Sequence, residues 1–81
     1  MPCIKRLGAV KICVYLRDHN PPHFHLLHGS DEELIEIKNL QTMAGSISKA
    51  QRKKAVTWVE EYREYVIRRW NEFNADNQFM E

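Results

Sequence analysis

Between Val10 and Arg17 the chain alternates: Val10, Ile12, Val14 and Leu16 fall in one phase, Lys11, Cys13, Tyr15 and Arg17 in the other. Successive side chains of a strand point to opposite faces, so this pattern predicts a strand. Residues 3 to 7 supply a short strand before it, with Gly8 at the turn. After two prolines, Phe24 and Leu26 alternate with His23, His25 and Leu27. Gly29-Ser30-Asp31 makes a turn, and Ile35 and Ile37 then alternate with Leu34, Glu36 and Lys38, which reads as a hairpin. Leu40 to Met43 adds a short edge segment before Gly45.

From Ser48 the period changes. Ser48 and Gln51 fit a capping box, in which the serine oxygen accepts a backbone N–H of the first turn. Val56, Val59, Tyr62, Val66, Trp70 and Phe73 follow at three- and four-residue spacing, with Trp58 and Tyr65 on one flank. Such a stripe predicts one long amphipathic helix over about 48–74, with a frayed end from 76 to 81. The expected fold is α+β: an antiparallel sheet of three to four strands within 3–43, and one long C-terminal helix packed on one face.

A single helix covers a single face. Val10, Ile12, Val14, Phe24, Leu26, Ile35 and Ile37 are expected beneath it, and Lys11, Cys13, Tyr15, Arg17, His23, His25 and Glu36 on the face left open. That open face is the expected binding surface.

The chain has 81 residues, 43% of them hydrophobic and 28% charged, which suits one folded domain spanning 1–81. A core this small gives modest stability, so a partner protein, self-association or a metal would help it. Twelve Lys and Arg against eleven Asp and Glu give a net charge of +1, too little to select a partner. Locally, Lys49, Arg52, Lys53 and Lys54 form a basic cluster at the helix start, where the macrodipole already favours anions. It is the expected phosphate or nucleic-acid contact for RNA or DNA, with solvated surface cations as the plainer reading. No stretch approaches membrane-spanning length and no basic start precedes an apolar run, so the expected compartment is the cytoplasm. Cys3 and Cys13 are then expected as reduced, strand-borne thiols.

Chemistry concentrates in residues 18 to 25, DHNPPHFH. His23 and His25 are two apart on a strand and share a face; the prolines make a stiff turn that can hold His19 over them. Three readings compete. In one, His19, His23 and His25 are nitrogen ligands of a transition metal such as zinc, with Asp18 as fourth ligand or outer acceptor, although the spacing matches no strong zinc signature. In another, His23 and His25 are the base and acid of a metal-independent ribonuclease, with His19 beside them and Arg17, Lys11 or the basic cluster balancing the phosphorane charge. In the third, the histidines bond to nearby carbonyls and fix the turn, and no cofactor is needed. His28, at the strand end, is structural.

With its Val/Ile/Tyr strand before the octapeptide and its Trp-containing helix after it, the chain resembles a bacterial family of small uncharacterised domains carrying a D-H-x-P-P-H-F-H signature. Met1-Pro2, Ile4, Arg6, Ile35, Ile37, Trp58 and Trp70 extend the resemblance along nearly the whole chain. Asp18, His19, Pro21, Pro22, His23, Phe24 and His25 carry the signature. The resemblance implies a neighbouring gene encoding a second small domain, hence a component of a two-gene, toxin–antitoxin-like module that acts by protein or nucleic-acid binding. It implies no established activity.

Overall fold

A computed structural model describes residues 3–80; the Met1-Pro2 start and Glu81 of the expected frayed end lie outside the described residues. Five strands form one antiparallel sheet in chain order: β1 (Cys3–Leu7), β2 (Val10–Cys13), β3 (His23–His28), β4 (Asp31–Glu36) and β5 (Thr42–Gly45). Two helices follow, α1 (Lys49–Glu61) and α2 (Arg63–Phe73), then a 3₁₀ turn at Ala75–Asn77. The sheet is therefore larger than three to four strands, because both short edge segments pair: β1 with β2 and β5 with β4. Gly45 makes the last pairing tight, sitting at φ +72° where an added Cβ would run into the Glu32 carbonyl.

The single long helix is also corrected. It breaks at Tyr62, whose φ and ψ of −111° and 34° leave the helical region while its N–H still reaches the Trp58 carbonyl. At 1.5 Å per residue an unbroken run from 48 to 74 would extend roughly 40 Å. The domain's longest dimension is 32 Å, so a straight helix would carry its second half past the sheet. The break returns α2 to the core and buries Val66 and Trp70 beside Ala55 and Val59 of α1. Neither glycine nor proline marks the break, and the apolar spacing runs through it.

Strand alternation holds where it meets the helices. Val10, Ile12, Val14, Phe24, Leu26, Ile35 and Ile37 are fully buried in one cluster with Ile47 and the helix stripe. Leu16 departs from its phase and is exposed, because β2 ends at Cys13 and the chain has already turned. Ser48 caps α1 as its sequence indicates, accepting the Gln51 N–H at 3.4 Å.

Cys3 and Cys13, expected as free thiols, are joined in a disulfide across β1 and β2. They are register partners, so the pleat sets both side chains on one face of adjacent strands. Beyond Asp76, where fraying is expected, the Trp70 indole N–H donates to the Asn77 carbonyl at 2.7 Å and the Phe79 N–H to Asn71 Oδ1 at 2.8 Å.

Candidate metal centre

His23 opens β3 and His25 follows two residues on, so the pleat turns both rings to the face opposite Phe24 and Leu26. That face is not open at this end. His23 is 0% exposed and His25 8%, because residues 15–22 fold back over them. Tyr15 meets His25 edge to face with ring centres 4.3 Å apart, and Trp70 lies 5.4 Å from the His23 ring. The expectation of two solvent-facing histidines is thus corrected. A sheet pattern assigns a face, whereas the connection after β2 decides whether that face sees water.

The covering segment is pinned to the end of α2. Arg17 lies in the left-handed region at φ +54° and its N–H donates to the Phe73 carbonyl at 3.1 Å. The Asp18 N–H donates to Asn74 Oδ1 at 2.6 Å, and Asn74 Nδ2 donates to the Tyr15 carbonyl at 3.0 Å. Asn20 Nδ2 donates to Asn77 Oδ1 at 3.0 Å, and the Asn20–Pro21 peptide is cis.

This placement drives the Asp18 carboxylate between the two rings. Its Oδ2 lies 2.9 Å from His25 Nε2 and 2.9 Å from His23 Nε2. The outer nitrogens are also occupied: His23 Nδ1 is 2.8 Å from the Pro21 carbonyl and His25 Nδ1 is 2.8 Å from Glu32 Oε2. A carbonyl can only accept, so the His23 proton sits on Nδ1 and its Nε2 presents a lone pair. The 2.9 Å approach of that nitrogen to Asp18 lacks hydrogen-bond geometry, and among the described residues His23 Nε2 is a buried polar atom with no hydrogen-bond partner. Such an atom is expensive to leave unsatisfied.

Electrostatics agree with a neutral His23 beside an ionised Asp18. Burial lowers the His23 pKa, and the His25 and His19 rings add to this against the opposing pull of Pro21 and Asp18. Burial pushes the Asp18 carboxyl up, but hydrogen bonds from His25 and the His19 backbone, with the nearby imidazoles, outweigh it and hold the pKa below its usual value. Tyr15 is raised, first by burial and then by the charges of Glu32 and Asp18.

Asp18, His23 and His25 can offer three ligand atoms within 4.8 Å of one another. His19, expected to join them, stays at the rim. It is two-thirds exposed, with Nδ1 3.0 Å from Asp18 Oδ1 and its ring centre 4.9 Å from that of His23. Arg17 is exposed, beside an open hollow of about 480 Å³ that Asp18 borders with Leu16, Phe73 and Asn74.

The basic cluster does not form a unit. Arg52 turns inward, its Nε 2.9 Å from Glu33 Oε2 and its Nη2 donating to the Leu40 carbonyl at 3.1 Å. Glu33 is 3% exposed and also accepts from Thr42 and from the Ile47 N–H. The Arg52 guanidinium is thus committed to a buried carboxylate on the helix side of the sheet. Lys49, Lys53 and Lys54 remain exposed.

Sequence reasoning missed Glu32, Glu33 and Asn74. A signal existed for Glu33, which shares the phase of Ile35 and Ile37 and so had to point into the core. Nothing local distinguishes Asn74, whose partners at the site, Asp18 and Tyr15, lie 56 and 59 positions away.

The family profile described as a domain of unknown function, DUF4160, matches residues 10–71, a span that contains Asp18, His23 and His25. The chain belongs to the DUF4160 family. No curated protein and no solved structure matches it. The DUF4160 match stops short of Asn74 and the 3₁₀ turn, so part of what pins the Asp18 segment lies outside the matched residues. Among the described residues no helix is long and apolar enough to cross a membrane.

Proposed function

We propose that this domain binds a divalent first-row transition ion, zinc foremost, through Asp18, His23 and His25. The observation that carries the reading is the buried His23 Nε2, a lone pair without a donor, beside the carboxylate that His25 Nε2 also meets. Two acceptors 2.9 Å apart repel unless a cation lies between them. Zinc bonds of about 2.0–2.1 Å in a tetrahedral set place donor atoms about 3.3 Å apart, so the Asp18 carboxylate would draw back a few tenths of an ångström from each ring nitrogen as the three atoms adjust around the ion.

The outer contacts support the same reading. Histidine ligands characteristically donate their second ring N–H to a carbonyl or a carboxylate, which fixes the tautomer and aims the other nitrogen at the metal. Pro21 and Glu32 supply one of each. His25 could donate from both nitrogens only as an imidazolium, and an ion on Nε2 would replace that second proton.

Three protein ligands leave a coordination position for water, the pattern of catalytic zinc sites; the same donors also suit ferrous iron. With His23 and His25 closed off, solvent would reach such an ion past exposed His19 or from the hollow that Asp18 borders. A zinc-bound water there would ionise near neutral pH.

The ribonuclease reading draws less support, because its two imidazoles are buried and share one carboxylate rather than flanking a space for a phosphate. The role in a two-gene module, with a protein or nucleic-acid partner, is carried by the sequence resemblance alone. Elemental analysis of protein purified without an affinity tag and dialysed against Zn(II) tests the metal reading. Stoichiometry near one, lost in His23→Ala and His25→Ala, is expected; metal far below one and indifferent to both substitutions would sink it.

A further inference from the structure

The metal ligand Asp18 does not hold its own position. Its backbone N–H donates to Asn74 Oδ1 at 2.6 Å, while the same amide's Nδ2 donates to the Tyr15 carbonyl at 3.0 Å and the Trp70 carbonyl at 3.1 Å. Asn74 is 3% exposed and caps the end of α2, where its φ of −134° leaves the helix. One buried side chain thus joins three points: the end of α2, the start of the ligand segment, and the ligand residue itself.

The neighbouring contacts run in parallel. Arg17 N–H to the Phe73 carbonyl and Asn20 to Asn77 tie the two flanks of Asp18 to the end of α2 and the segment after it, and Trp70 Nε1–H to the Asn77 carbonyl holds that segment to α2. On the other side, His23 and His25 ride on a central strand paired along both edges. Two ligands therefore belong to the sheet, and the third belongs to a loop whose anchor is the C-terminal segment.

We infer that Asn74 is a positioning residue of the metal site, and that the segment 74–79 is the clamp which delivers Asp18 to His23 and His25. The inference rests on the metal reading above and adds to it a residue that touches no metal. Asparagine suits the task chemically, since one amide must accept from Asp18 and donate to Tyr15 and Trp70 at once. Aspartate keeps the acceptor and loses both donors; alanine loses all three. Coupling through the clamp is reciprocal, so metal bound at Asp18 stabilises the clamp as the clamp stabilises the metal.

The test uses the whole chain. Zn(II) and Co(II) affinities are measured for wild type, Asn74→Ala and Asn74→Asp, and for Val59→Ala as a core-weakened control in α1, outside the loop and the clamp in sequence, all at a temperature where circular dichroism reports full folding. Loss of an outer contact typically weakens metal binding by about 10- to 100-fold, and that range is expected for Asn74→Ala, with a smaller loss for Asn74→Asp and none for Val59→Ala. The Co(II) ligand-field spectrum, which reports coordination geometry and not stability, should change in Asn74→Ala only. Should that variant fail to fold, the wild type suffices: Zn(II) titration should shift the Asn74 side-chain amide resonances and slow exchange of the Asp18 amide proton. Wild-type affinity and spectrum in a folded Asn74→Ala, or unmoved Asn74 and Asp18 resonances at saturating Zn(II), would overturn the clamp alone. Failure of wild type to bind either metal would overturn the metal reading itself.

Discussion

The His23 imidazole donates from Nδ1 to the carbonyl of Pro21, two residues earlier in the same chain, at 2.8 Å. This local bond decides what the buried ring can do. It fixes the proton on the nitrogen facing the turn and leaves Nε2 as a lone pair toward Asp18. Nitrogen-resolved NMR of the metal-free protein should show His23 as the Nδ1–H tautomer, with a slowly exchanging ring proton. A His23 protonated on Nε2 would contradict it.

Glu33 offers a separate test on the helix side of the sheet. Burial pushes its carboxyl up, but the bonds from Thr42, Arg52 and Ile47 and the Arg52 charge outweigh this and hold its pKa below the usual value. A depressed folded-state pKa contributes stability that is present above the unfolded value and lost as pH falls through the folded one. Glu33→Gln should cost about 2 kcal/mol at pH 7, discounted because Arg52 is one-third exposed. The gap in stability between wild type and variant should narrow once the pH falls below about 4. A gap that stays constant with pH would contradict this role.

The Cys3–Cys13 disulfide, ten positions apart, closes a short loop at one edge of the sheet. A closure of this length lowers the unfolded chain's entropy by an amount worth about 3 kcal/mol. Thermal melts with and without a reducing agent should therefore differ clearly, and Cys3→Ser with Cys13→Ser should reproduce the reduced curve in either buffer. Identical melts under both conditions would remove the disulfide from the account.

Much of the sheet was legible because its cause is local. Ile35 and Ile37, like Phe24 and Leu26, alternate within a few residues and lie where alternation puts them. The octapeptide likewise marked the His/Asp cluster, since Asp18, His23 and His25 stand within eight positions. What escaped depends on distant partners. The break at Tyr62 follows from the size of the sheet beneath the helix, and the closure over His23 follows from where the residue 15–20 loop meets Asn74 and Asn77. Arg52 read as one of four surface cations because its partner, Glu33, lies nineteen positions away in another element.

The central claim concerns one ion and three side chains, and crystals grown with saturating Zn(II) measure it most directly. Anomalous difference density at the zinc edge should show one peak about 2.0–2.2 Å from His23 Nε2, His25 Nε2 and an Asp18 carboxylate oxygen. No peak among these three residues, or zinc held only at His19 or His28, would contradict it.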